Sequence, residues 1–356
     1  MSGRPCEAPA LPSTVVDPVA ALERAVYLLD RSLAPAPKVK AFVRAADIVR
    51  ALPEAELAEL HRTKRLTDLP GIGDATGGVI ADALDDRESP YLAKLEAESA
   101  IPMGEGGDIR AALRGDCHTH SEWSDGGATI EAMARAAIAL GHDYMVLTDH
   151  SPRLTIAHGL SPERLAEQLV EVARLNEELA PFRILTGMEV DILEDGSLDL
   201  ADELLAQLDV VVGSVHRKLS MPAREMTQRM VLGVASPHVD ILGHCTGRKV
   251  PGPGGKGRPQ STFDAEIVFA ACARFDTAVE INCRPERQDP PDELLQLALE
   301  WGCKVSIDTD AHAPGQLEWQ PYGCDKAARH GIDPSEIVNT WAADDLLAWA
   351  GAHPTS

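Results

Sequence analysis

Between residues 115 and 307, short runs of β-branched and apolar residues alternate with segments of ten or more residues at helical spacing. Strands joined through helices return across the sheet and pair in parallel, so the pattern specifies a parallel α/β barrel or a doubly wound sheet. Runs lie at 144–148, 183–189, 209–215, 239–243, 278–282 and 304–307, and a short opening strand precedes His118. Seven strands are therefore expected.

Active sites of parallel barrels gather at the C-terminal strand ends. Every expected strand except the sixth ends on a side chain that binds metals. The first leads to His118 and His120, whose alternation along extended chain points both rings to one side, with Asp125 in the turn after them. The second ends at His150, the third at Glu189, the fourth at His216, the fifth at His244, and the seventh at Asp310 and His312. Taken singly, a histidine at a strand end is ordinarily hydrogen-bonded or exposed. Jointly, six of the twelve histidines occupy such ends, while His61, His142, His158, His238, His330 and His353 do not share the pattern. Nine imidazole and carboxylate ligands exceed the needs of one ion and suit two or three ions of zinc, manganese or iron, with a shared carboxylate.

The 356-residue chain is 44% apolar, enough for a large domain and a small one. Residues 18–98 have helical spacing and no β-rich run, giving a small all-α unit. Within it, LPGIG at 69–73, followed by an apolar segment at 75–84, has the form of a helix-hairpin-helix. Gly71 and Gly73 would let backbone N–H groups at a helix N-terminus approach a phosphate of DNA; a plain glycine turn between packed helices is the other reading. The division expected is a flexible start at 1–17, an all-α domain at 18–100, a linker at 101–114 with its Gly-rich part at 103–108, and the barrel at 115–350. The formal charge of −23 argues against non-specific nucleic-acid binding by the whole surface. The first hundred residues carry only −4 of it, and 38–65 holds seven Lys or Arg against four Asp or Glu. Seven cysteines without a CxxC pair indicate reduced thiols. With no apolar stretch of eighteen residues and no signal-peptide order, a cytoplasmic protein without a membrane partner is expected.

HTHSEWSDG at 118–126, TDHS at 148–151, GMEVDI at 187–192, GSVH at 213–216, DILGHCTGR at 240–248 and DTDAH at 308–312 resemble the PHP (polymerase and histidinol phosphatase) family. The resemblance spans 115–346 and fills all nine of the family's ligand positions in order. EINCRPERQD at 280–289 looks like the version attached to bacterial family X DNA polymerases. It implies a distorted seven-stranded (β/α) barrel preceded by a small all-α helix-hairpin-helix domain, with three metals. One ion would sit between His118, His120, Glu189 and Asp310, a second would use Glu189, His216 and His244, and a third Asp125, His150 and His312. KVKAFVRAADIVRAL at 38–52 and LTDLPGIGDATGGVI at 66–80 resemble the start of a family X polymerase. Asp74 stands where that family usually has a basic residue, and Gly77 and Gly78 where a lysine would serve a deoxyribose-phosphate lyase, so no Schiff-base chemistry is expected. About thirty-five residues separate hairpin and barrel, which leaves no room for a polymerase palm.

Phosphoester hydrolysis is the expected reaction, with water activated at the metals and proton transfer assigned to Asp310 or His312. Candidate cations for the substrate phosphate are Arg153, Arg217 or Lys218, Arg248, and Arg284 or Arg287, with Arg248 the first choice. The Gly- and Pro-rich 249–260 is either a lid or an insertion without a role. The leading function is trimming of DNA 3′ ends, as a 3′-to-5′ exonuclease or 3′ phosphoesterase. A small-molecule phosphatase of the histidinol phosphate kind is the alternative, and a non-catalytic DNA-binding adaptor the third.

Overall fold

The computed structural model describes residues 17–251 and 257–353. Of the expected flexible start all but Asp17, and of the expected lid positions 252–256, lie outside the described residues. The chain forms two compact units, Met1–Ala100 and Ile101–Ser356.

The first unit is helical: Pro18–Arg31, Ala36–Ala51, Glu54–Arg62, Asp74–Leu84 and Pro90–Ser99. The Asp17 carboxylate accepts from the Val19 amide at 3.1 Å and Pro18 supplies a fixed φ, which together start the first helix. Its stripe of Leu22, Ala25, Leu28 and Leu29 packs on Phe42, Ala45, Val49, Val79 and Ile80. Arg31 is buried in this core because its guanidinium is matched, by Ser99 Oγ at 2.9 Å and Glu96 Oε1 at 2.6 Å.

The second unit is the seven-stranded parallel barrel: β1 Gly115–Thr119, β2 Tyr144–Leu147, β3 Arg183–Asp191, β4 Val210–Ser214, β5 Ile241–Leu242, β6 Ala278–Asn282 and β7 Val305–Asp308. Neighbours in sequence are neighbours in space. The ring closes through a Thr119–Ala311 bridge, with the His120 amide donating to the Ala311 carbonyl at 2.8 Å. Helices Ile130–Ala139, Pro162–Leu179, Ala223–Val234, Ala265–Phe275, Asp292–Glu300 and Gln320–Arg329 cover the outside. Covered on both faces, the strands are apolar almost throughout, which is why they read as runs rather than as alternation.

The expected linker at 101–114 is corrected. Gly107–Ala112 is a helix, and Ile109 and Leu113 pack with Ile281, Leu295, Val305 and Trp319 against the barrel. Asp325 Oδ1 accepts from the Gly106 amide at 2.8 Å. A Cβ on Gly106 would fall 2.3 Å from the Cys324 carbonyl carbon. Gly104 and Gly106 thus mark close approach to the helix Gln320–Arg329, which composition alone cannot distinguish from looseness.

Cys117, Cys245, Cys272, Cys283, Cys303 and Cys324 are buried free thiols. Among the described residues no helix is long and apolar enough to cross a membrane.

Candidate metal centre

β1 ends with His118 buried and His120 two residues on, and the chain after β2 brings His150 against β3 by a bridge to Glu189. Glu189, 1% exposed, is the hub. Its Oε1 lies 2.7 Å from His244 Nε2 and 3.1 Å from His216 Nε2, and its Oε2 2.9 Å from His150 Nδ1 and 3.3 Å from His118 Nε2. Asp310 Oδ1 is 3.4 Å from His120 Nε2. Asp125 Oδ1 is 3.4 Å from His150 Nε2 and 3.3 Å from His312 Nε2. All nine side chains singled out in the sequence therefore meet at one end of the barrel.

Among the described residues, three sets have ligand atoms within 4.8 Å of one another: His120, Asp125, His150 and His312; His118, His120 and Glu189; and His150, Glu189 and His216. His120 and His150 thus stand between sets, where the resemblance implied one set for each, while Glu189 is shared as expected.

The donor chemistry fits divalent ions. His118 Nε2, both ring nitrogens of His120, His216 and His244, and both oxygens of Glu189 are buried without a hydrogen bond. Buried polar atoms are nearly always satisfied, so this concentration of bare nitrogen and carboxylate lone pairs calls for cations. Burial, with His312 and His150 alongside, pushes His120 well below the usual imidazole range, keeping its ring neutral. Burial alone would raise Glu189, yet the imidazoles of His216, His118, His150 and His244 hold it well below the carboxylate range. Asp310 adopts φ +51°, a left-handed conformation uncommon outside glycine but tolerated by Asp.

Sequence reasoning missed the residues behind the ligands. Glu280 and Asn282 on β6 and Asp191 on β3 are buried, and the Asp191 carboxylate accepts from the His216 amide at 3.2 Å. The available signal was polar residues at alternate positions in an otherwise apolar strand, AVEIN at 278–282.

Of the candidate cations, Arg284 and Arg287 face the cluster. Arg287 Nε is 2.9 Å from Asp310 Oδ2, and Arg284 Nη1 donates to the Asp310 carbonyl at 2.6 Å and to His312 Nδ1 at 2.9 Å. Arg248, the first choice, donates instead to the carbonyls of Arg287, at 3.1 Å, and Gln288. Arg153 is exposed, with its amide and side chain on Asp199, and Arg217 and Lys218 are exposed.

In the helical unit, Gly71 has φ +103°, and a Cβ there would lie 2.7 Å from Ile48 Cδ1, so the turn requires glycine. Gly71 and Gly73 are exposed, but the Gly73 amide donates to Thr76 Oγ1 at 2.9 Å and Asp74 is exposed at the first helical position.

A family model described as the PHP domain matches residues 116–246. The DNA polymerase/3′-5′ exonuclease PolX of Bacillus subtilis (strain 168) is 38% identical over 237 residues, which cover 67% of this chain and 41% of that protein. A probable phosphatase of Thermoanaerobacter sp. (strain X514) is 30% identical over 237 residues, covering 63% of this chain and 89% of the relative. Among solved structures, histidinol phosphate phosphatase of Lactococcus lactis, complexed with zinc, L-histidinol and phosphate, aligns at a TM-score of 0.45 and 18% identity over 62% of this chain and 95% of that one.

Proposed function

This chain belongs to the PHP domain family and is a phosphoester hydrolase, and from that premise we propose that it acts on DNA 3′ ends, as a 3′-to-5′ exonuclease or 3′ phosphoesterase. The observation that carries the metal-dependent chemistry is the bare Glu189 carboxylate among four imidazoles. His118, His120, Asp125, His150, Glu189, His216, His244, Asp310 and His312 are its ligands in this reading. Divalent ions held there, zinc, manganese or iron, would lower the pKa of a water toward neutrality, neutralise phosphate charge and align attacking and leaving oxygens.

The chain's own part is binding and proton handling. Arg287 and Arg284 present guanidinium groups beside Asp310, suited to grip non-bridging phosphate oxygens. Of the two residues expected to move protons, His312, on the more exposed rim, is the group placed to hold one, with the Asp310 carboxylate beside it, Oδ1 3.5 Å from His312 Nδ1. Arg248 braces the 287–288 backbone and so supports the grip from behind.

The DNA specificity is supported by the likeness to PolX, of which the chain spans 41%, and by the exposed glycine turn before Asp74–Leu84. Much of the positive charge at 38–65 is spent on local pairs, Arg50 with Glu23 and Asp47, Arg62 with Glu59, Arg65 with Asp68, leaving Lys38, Lys40, Arg44 and Lys64 exposed for a phosphate backbone. A small-molecule phosphatase is the second reading, favoured by the probable phosphatase of which the chain covers 89% and by the net charge of −23.

The test is hydrolysis by purified protein supplied with manganese or zinc, comparing a 3′-labelled DNA strand, histidinol phosphate and a generic phosphomonoester. Shortening of DNA that disappears in His120→Ala supports the nuclease reading. Turnover of monoesters alone would replace it with the second.

A further inference from the structure

The sixth strand supplies no candidate ligand, yet its two inward polar residues reach three of them. Glu280 is fully buried. Its Oε1 lies 2.6 Å from His118 Nδ1, and its Oε2 accepts from the His244 backbone amide and, at 3.2 Å, from Asn282 Nδ2. The same Asn282 amide donates to Asp310 Oδ2 at 3.2 Å. His118, His244 and Asp310, which arrive from three different strand ends, are thus tied to one side-chain pair.

Glu280 and Glu189 make an instructive comparison. Both are buried glutamates next to His118, but the oxygens of Glu189 have no hydrogen bond, whereas both oxygens of Glu280 are taken by protein donors. Glu189 is left with its lone pairs for an ion, while Glu280 gives most of its own to three protein donors. Among the described residues the only cation-capable group within ion-pair distance of Glu280 is His118 itself. A buried carboxylate is costly unless charge compensates it. An imidazole that donates Nδ1–H to a carboxylate and turns a bare Nε2 toward a metal site supplies such compensation once an ion is bound, and the carboxylate in turn fixes the tautomer and orientation and raises the basicity of the ligating nitrogen.

We propose that Glu280 is a positioning residue for metal loading: it holds His118 as the Nδ1–H tautomer with Nε2 aimed at Glu189, and it pins the His244 backbone. His244 sits at φ +22°, and its amide hydrogen bond to Glu280 joins the Gly247 amide on the His244 carbonyl in fixing that turn. The inference rests on the metal-site reading above.

The experiment is a metal titration of metal-free full-length protein, wild type, Glu280→Gln and His120→Ala, with zinc and cobalt(II) in competition with a chromophoric chelator. Thermal melting of the metal-free proteins and the cobalt d–d spectrum are recorded alongside. Gln at 280 keeps the volume and an acceptor for His118 but loses the charge and sets an NH₂ group against the His244 amide. The expected result is a roughly ten- to hundredfold weaker affinity at the tightest site, an altered cobalt spectrum, and a cooperative melt of the metal-free variant that shows it folds. Wild-type affinity and spectrum in a folded Glu280→Gln would overturn the positioning role. If wild type takes up no metal, or His120→Ala takes up as much, the metal-site reading itself fails. Should Glu280→Gln not fold, Glu280→Asp is read in its place: it keeps the charge one methylene short of His118, and reduced affinity is again expected. Failure of both to fold would assign Glu280 to barrel folding and also overturn the inference.

Discussion

Arg287 Nε stands 2.9 Å from Asp310 Oδ2, so a fixed cation already occupies one edge of a carboxylate whose other oxygen, Oδ1, faces His120. Burial would raise Asp310, but Arg287 and then Arg284 hold it well below the carboxylate range. Arg287→Lys keeps the charge and loses the planar fork. We expect kcat/KM to fall roughly 10- to 100-fold, as for loss of one charge-assisted hydrogen bond, with metal content unchanged. Steady-state kinetics with metal analysis of the same preparation checks this, and a variant that has lost its metals would assign Arg287 to the metal site instead.

Glu189→Gln retains the shape of the hub and removes its charge. Because loss of a partner behind a ligand already costs about 10- to 100-fold, loss of the shared ligand should lower kcat by more than about 100-fold and leave fewer ions per chain. Undiminished metal stoichiometry by elemental analysis would show that the ions sit elsewhere.

His142 lies outside the cluster and gives a pH dependence that the metals do not confuse. Gln320 directs its NH₂ to the Gly115 carbonyl at 2.9 Å, so its oxygen faces His142 Nε2 at 3.0 Å and that nitrogen carries the proton. Burial, then Arg110, push its pKa from 6.5 down to about 4. Between those values the unfolded chain binds a proton that the folded one does not. The contribution is fully present above pH 6.5 and is lost as pH falls toward 4, about 3 kcal/mol over the window. Urea midpoints of metal-free protein should drop across this range, and His142→Gln should show a shallower drop. Parallel curves would place the acid sensitivity elsewhere.

Gly71→Ala tests the hairpin turn. At φ +103° with a 2.7 Å contact waiting at Ile48 Cδ1, the methyl group should destabilise the helical unit by about 1–2 kcal/mol. The reading is the denaturant midpoint of full-length protein followed by a helical signal. A neutral outcome would mean that the turn relaxes freely.

The barrel was legible because burial on both faces writes each strand as an apolar run, and Val305–Asp308 or Ala278–Asn282 can be placed within a residue or two. The nine clustered residues were legible because a parallel barrel delivers successive strand ends to one rim, so order in sequence becomes proximity in space. Glu280 and Asn282 escaped because they sit within a strand, where nothing in the local pattern says which distant imidazole each will meet. The direction of Arg248 escaped for a related reason: Gly247, at φ +60°, turns the chain after His244, and the guanidinium lies on the 287–288 carbonyls. Side-chain direction after a turn depends on backbone torsions that residue type does not report.

The closing bridge between Thr119 and Ala311 has a mechanical corollary. The two edges it joins are the same edges that carry His118 and His120 on one side and Asp310 and His312 on the other. An ion gripped from both edges would act as a clasp on a ring whose ends are roughly 190 residues apart along the chain, a costly loop to shut. Occupancy should therefore be audible in the backbone as well as in turnover: on stripping the metals, the His120 amide, which crosses that seam, is expected to be among the first in the barrel to exchange its hydrogen with solvent.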